Sequence, residues 1–155
     1  IGVSNFNAPR YEKFLRACTV IPAVNQVEAH VFFQQKGLLE EMKKHGTHMQ
    51  AWSPFAAGKN DIFNNALLRD LGSFYGKTPA QIALRYLVQL GISVIPKSSH
   101  KERMKENFGI FDFHLQDEDM RRIREPVDTY PATPSTISCS DRPRYSPMAT
   151  AMEAE

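Results

Sequence analysis

The sequence is poor in cysteine: Cys18 and Cys139 are the two in 155 residues, far apart. Neither a disulfide framework nor a paired-cysteine zinc pattern can be written from them. Two reduced thiols in a cytoplasmic protein are expected. No apolar run approaches the roughly 20 residues that cross a bilayer, and no signal-peptide pattern is present. Charge of one sign does not dominate, since 19 basic against 17 acidic residues leave +2. That balance gives no electrostatic case for nucleic acid or an anionic membrane as partner. Neither G-x-G-x-x-G nor G-x-x-x-x-G-K occurs, so Rossmann and P-loop phosphate sites are not indicated. Ile1 is not a start methionine, and Ile1-Gly2-Val3 reads as mid-strand sequence. The chain is therefore expected to begin inside a longer reading frame.

What is present is an ordinary globular balance, 42% hydrophobic and 23% charged, enough for one domain with a core. Short apolar runs alternate with helical patterns. Ile1-Gly2-Val3 precedes Asn7-Ala8-Pro9, a capping Asn with Pro in the first turn, and Tyr11, Phe14, Leu15 and Cys18 recur at helical spacing. Ala23 to Val27 forms the second run. The helix after it carries Leu38, Leu39 and Met42, with Glu40 four residues before Lys44 and Gly46 as its stop. Met49 to Trp52 is the third run. Ala66, Leu67, Leu68 and Leu71 predict an extra helix ending near Gly76. The clearest helix opens with the capping box Thr78…Gln81 and Pro79, buries Ala83, Tyr86, Leu87 and Leu90, and ends at Gly91. Ile92 to Ile95 is the fourth run. Ser99 and Glu102 predict a second capping box, and a last helix begins near Asp117 with Met120 and Ile123 inward. Strand–helix repeated four times predicts an α/β fold with parallel strands and crossover helices, half of a (β/α)8 barrel. Residues 126–155 hold five of the ten prolines and eight Ser or Thr. This tail is expected to be irregular or disordered, which leaves residues 1–125 as the folded unit.

In such a barrel, ligands meet the C-terminal ends of the strands. Ser4-Asn5, Asn25-Gln26, Trp52-Ser53 and Lys97-Ser98 fall there, a ring of donors, acceptors and one flat aromatic surface around one mouth. Lys97, Ser98 and Arg103, beside a helix start at Ser99, suit a dianionic phosphate monoester: free N–H groups, two fixed charges and a guanidinium that binds phosphate bidentately. His30 is expected to be structural. His45 and His48 lack a third ligand, so no metal is expected.

Ile1-Gly2-Val3-Ser4-Asn5-Phe6-Asn7, Val24-Asn25-Gln26-Val27-Glu28, Ala51-Trp52-Ser53-Pro54 and Ile95-Pro96-Lys97-Ser98 resemble the aldo-keto reductases. So do Arg103, Glu106, Asn107 to Phe113, Asp119 and Met120. The resemblance covers residues 1 to about 125. It implies an NADPH-dependent (β/α)8 barrel that reduces aldehydes and ketones to alcohols, of which this chain is the C-terminal half, strands five to eight. Ser4, Asn5 and Gln26 would hold the nicotinamide carboxamide, and Trp52 would stack on the ring, as in some microbial members. Ser53 and Phe55 would line the pyrophosphate path. Lys97, Ser98 and Arg103 would take the 2′-phosphate, and Glu106 and Asn107 the adenine end. The family's catalytic Tyr, Asp, Lys and His belong to the other half, so no catalytic residue is expected here: Tyr11 and Tyr86 read as core, and Tyr75 precedes a turn. The chain alone is expected to be inactive on a small carbonyl substrate. A non-catalytic half-barrel that binds or pairs with a copy of itself, or an inactive truncated product, is the alternative.

Overall fold

The computed structural model describes residues 1–125; the expectation for the 126–155 tail lies outside them. Four parallel strands, β1 (Gly2–Ser4), β2 (Val24–Glu28), β3 (His48–Trp52) and β4 (Ser93–Val94), form one sheet in the order β1-β2-β3-β4. Helices α1 (Ala8–Leu15), α2 (Lys36–Lys44), α3 (Ala66–Tyr75) and α4 (Pro79–Gln89) connect the strands, and α5 (Lys101–Phe108) and α6 (Asp117–Arg124) follow β4. This is the expected α/β pattern of parallel strands with crossover helices, including the extra helix α3. No helix among the described residues is long and apolar enough to cross a membrane.

Strand side chains alternate between two environments, as the pleat dictates. Asn25, Val27, Met49 and Ala51 are buried, the last three in one cluster with Leu38, Leu39, Met42, Ile82, Leu84 and Leu87 from the helices. The opposite face carries Ser4, Gln26, Gln50 and Ser93, which the register aligns in one rung across all four strands. Gln26, Gln50 and Ser93 are half-buried.

Local chemistry explains most element boundaries. Asn7 caps α1 by accepting from the Arg10 N–H. Gly46, Gly76 and Gly91 follow α2, α3 and α4 with φ of +72°, +64° and +80°, the left-handed turn that ends a helix without a Cβ penalty. Two expectations fail. Lys44 pairs with Glu41 at 2.7 Å rather than with Glu40, which lies 3.6 Å from Arg124 of α6; the acid three residues before Lys44, on the same helix face, takes the contact. The Ser99…Glu102 box does not form, because His100 is the N-cap of α5 and makes no side-chain capping bond. Ser98 instead accepts from the His100 N–H and donates to the His100 carbonyl, and the helix starts one residue later than the Ser99 pattern predicts.

Candidate cofactor site

Two groups of side chains gather at the C-terminal ends of the strands. The first joins β1, β2 and β3. Asn5, immediately after β1, has φ +56°, and Ser53, immediately after β3, has φ +50°. This left-handed backbone is uncommon without glycine and tolerated best by Asn. It turns the chain sharply at the strand mouth. The Asn5 N–H donates to the Gln26 carbonyl at 2.9 Å, and Ser4 Oγ donates to the same carbonyl at 3.2 Å. Trp52 Nε1 donates to Asn5 Oδ1 at 2.9 Å, and Gln26 Nε2 donates to Gln50 Oε1 at 2.6 Å. Asn25, fully buried, grips the loop after β1 from behind, donating to the Phe6 carbonyl at 2.9 Å and accepting from its N–H at 3.4 Å. The sequence placed Asn25 beside Gln26 without distinguishing them; alternation sends one inward as a loop clamp and the other to the open face.

The second group lines a cleft of about 550 Å³, formed by Phe55, Phe63, Ala80, Lys97, Ser98, Ser99, His100, Arg103, Glu106 and Asn107. Six residues expected from sequence therefore meet here: Phe55, Lys97, Ser98, Arg103, Glu106 and Asn107. Ser53 is absent from the lining, and Ser4, Asn5, Gln26 and Trp52 belong to the first group. Phe63 and His100 were missed. Phe63 packs its ring 5.5 Å from that of Phe55, a contact across a loop that no periodicity reveals. His100 stood three residues from Lys97, the one signal that could have found it.

A clasp between α4 and α5 sets this wall. The capping box of α4 forms as expected, with Thr78 Oγ1 accepting from the Gln81 N–H and the Thr78 N–H donating to Gln81 Oε1. Gln81 Nε2 also donates to the carbonyls of Glu106 and Gly109, at 3.1 and 2.9 Å, tying down the end of α5. Thr78 Oγ1 donates to Glu106 Oε1 at 2.6 Å. The helix cap thus fixes Glu106, and Asn107 beside it.

Among the described residues the tyrosines serve the core. Tyr11 donates to Thr47 at 2.6 Å, Tyr75 to Asp119 at 2.6 Å and Tyr86 to Gln34 at 2.9 Å, and all three are buried. Burial pushes the Tyr86 hydroxyl up to about 12. His45 Nε2 lies 3.1 Å from Glu41, and His48 Nε2 takes the Ser93 N–H at 3.2 Å. Among the described residues no three His, Cys, Asp or Glu side chains gather as a metal site.

His30 is buried just beyond β2, with Nε2 3.6 Å from Glu28 and no hydrogen-bond partner at Nδ1 among the described residues. Burial lowers its pKa from 6.5, against the opposing pull of Glu28. A depressed histidine pKa means the unfolded chain binds the proton first. Stability from neutral His30 is thus present above pH 6.5 and is lost as pH falls toward the lower folded value. Urea midpoints at pH 7.5 and pH 5.5 should differ for the wild type and differ less for His30→Gln; an equal difference in both would remove His30 as the cause.

The aldo/keto reductase family model matches residues 1–128. A 9,11-endoperoxide prostaglandin H2 reductase of Trypanosoma cruzi is 43% identical over 126 residues, covering 81% of this chain and 44% of the relative. A Gox0644 variant solved in complex with NADPH superposes with a TM-score of 0.76 at 36% identity, over 81% of this chain and 46% of that one. A putative 2,5-diketo-D-gluconic acid reductase B gives 0.76 at 39% identity, over 81% and 44%. The chain thus spans less than half the length of the relatives it matches. With a family match across most of its residues and the same parallel α/β fold as its neighbours, the chain belongs to the aldo/keto reductase family.

Proposed function

We propose that residues 1–125 are the cofactor-holding half of an NADPH-dependent reductase of aldehydes and ketones, and that β1 to β4 are strands five to eight of its (β/α)8 barrel. The observation that carries the reading is the convergence of Lys97, Ser98, Arg103, Glu106 and Asn107 on one cleft. Two fixed cations and a serine beside the start of α5 match a phosphate monoester. Lys97 supplies a point charge, and Arg103 a planar fork of donors. Glu106 and Asn107 offer polar edges to the adenine end, while Phe55 and Ser53 border the path between the cleft and the strand mouth. There, Ser4, Asn5 and Gln26 would hold a carboxamide, and Trp52 would present its flat face to the ring. When bound, NADPH supplies a hydride to a carbonyl carbon.

The barrel reading draws on strand order and on the second face of the sheet. The order runs β1 to β4 without the reversal that a doubly wound sheet requires. Right-handed crossovers then put the connecting helices on one face. The other face, with its half-buried rung of Gln26, Gln50 and Ser93, suits the interior of a closed barrel better than open water.

Proton transfer is assigned to residues outside this stretch, a Tyr with Asp, Lys and His as in the family. A proton donor needs a hydroxyl at the mouth with a lowered pKa. Tyr11, Tyr75 and Tyr86 are committed to core partners, and Tyr86 moves in the opposite direction. The chain alone would then bind cofactor without turning over a carbonyl substrate. Calorimetric titration separates the readings: 2′,5′-ADP should bind at least about tenfold more tightly than 5′-ADP, the scale of one charge-assisted contact. Equal affinities for the two would overturn the proposal.

A further inference from the structure

The strand mouth holds two primary amides side by side, each already bonded by a neighbour. An indole N–H can only donate, so Trp52 Nε1, 2.9 Å from Asn5 Oδ1, fixes the Asn5 amide with its oxygen turned to the tryptophan. Asn5 Nδ2 is then the end left to a ligand. Gln26 is held in the opposite sense: its Nε2 donates to Gln50 Oε1 at 2.6 Å, which leaves its own Oε1 as the end on offer. Among the described residues neither Asn5 Nδ2 nor Gln26 Oε1 has a hydrogen-bond partner. The Asn5 N–H bond to the Gln26 carbonyl holds the two residues together. One presented donor beside one presented acceptor is complementary to a primary carboxamide, whose oxygen accepts and whose NH₂ donates. The same pair opposes a carboxylate, which would face the Gln26 oxygen with negative charge and no proton to give.

We infer that Gln50 and Trp52 are positioning residues that set the polarity of this pair, so that the site selects a nicotinamide carboxamide over a nicotinic acid carboxylate. The inference rests on the cofactor reading above and adds to it two residues that act through others. Gln50 reaches Gln26 from the neighbouring strand, because the register pairs the two residues and alternation sends both to the open face. Trp52 gains a role beyond its flat surface, since its ring nitrogen orients the donor.

The test uses NADP⁺ and nicotinic acid adenine dinucleotide phosphate, which differ only in carboxamide against carboxylate, with 2′,5′-ADP as a probe that lacks the ring. Dissociation constants are measured by calorimetry. The wild type should favour NADP⁺ by about tenfold or more, the scale of leaving one polar group mismatched. Gln50→Leu should lose most of that preference and leave 2′,5′-ADP affinity unchanged. Gln50→Glu, which keeps an acceptor for Gln26 Nε2, should retain it. Trp52→Phe keeps a flat face and removes the indole N–H, so it should narrow the preference through Asn5 and serves as an independent arm should Gln50→Leu fold poorly. Equal wild-type affinity for the two dinucleotides, with 2′,5′-ADP still bound, overturns the inference and spares the phosphate cleft. Retention of the full preference in both Gln50→Leu and Trp52→Phe also overturns it. Failure of the wild type to bind 2′,5′-ADP sinks the cofactor reading and this inference with it.

Discussion

Arg103→Ala is expected to weaken NADPH binding by about 1.5–3 kcal/mol, the cost of losing a hydrogen bond to a charged group, or roughly ten- to a hundredfold in Kd. NADH affinity should hardly change. Arg103 lies in the first turn of α5 and lines the cleft with Lys97 and Ser98; on the proposed reading, removing it would subtract from the 2′-phosphate contact, which NADH lacks. Arg103→Lys should recover only part of the loss, because an ammonium keeps the charge and gives up the planar fork. The preference for NADPH expected on that reading should also shrink as salt rises, since Lys97 and Arg103 are solvent-exposed. Titration of both cofactors at two ionic strengths checks all three. Equal losses for NADPH and NADH would mean that Arg103 shapes the cleft rather than reading the phosphate.

The parts of the fold legible in the sequence are those decided within a few residues. Asn7-Ala8-Pro9 announced α1, and Thr78 with Gln81 announced α4, because a cap is a bond between neighbours in the chain. Gly46, Gly76 and Gly91 marked helix ends because a positive φ excludes most side chains. The strand ends were legible as places, since polar residues there interrupt an apolar run. What those residues touch was not. Gln81 reads as half of a capping box, yet its amide nitrogen also reaches the Glu106 and Gly109 carbonyls across the helix pair. Gln50 carried no signal: one polar residue in an apolar run gains meaning only from the register that sets it opposite Gln26. Phe63 comes to the cleft through a loop with positive φ at Ala56, Ala57, Asn60 and Asp61; Asn60 and Asp61 are residue types that tolerate it, but the two alanines do not advertise it. The failed Ser99…Glu102 box shows the limit from the other side. The pattern was right for a cap, but Ser98 bonds the His100 backbone first, and a local rule yields to the turn that leaves β4.

Asp119→Ala is expected to produce the largest loss of stability, about 3–5 kcal/mol, the range for removing one partner of a buried ion pair. Asp119 is fully buried in α6, yet it carries a carboxylate. Its Oδ2 accepts from the Tyr75 hydroxyl of α3 at 2.6 Å, and its Oδ1 lies 3.5 Å from Arg122. Arg122 is itself 8% exposed and reaches Asp70 of α3 at 3.3 Å. Tyr75 also accepts from the Gln116 N–H at 3.0 Å, at the start of α6. One phenol and two carboxylates therefore fasten α6 to α3. Alanine would leave the Tyr75 proton without its carboxylate and the guanidinium with weaker compensation, both in a dry setting where unmet polar groups cost most. Tyr75→Phe removes only the hydroxyl and should cost less, about 1.5–3 kcal/mol. Asp119→Asn should cost less than Asp119→Ala, because an amide oxygen can still accept from Tyr75. Urea unfolding by circular dichroism reads the order directly, and the alanine variant should melt about 6–20 °C lower in a chain of this size. An Asp119→Ala protein within about 1 kcal/mol of the wild type would fall below that range and show that the other contacts of Arg122, Asp70 among them, and the core cluster that includes Leu71, Tyr75 and Ile123 hold α6 without Asp119.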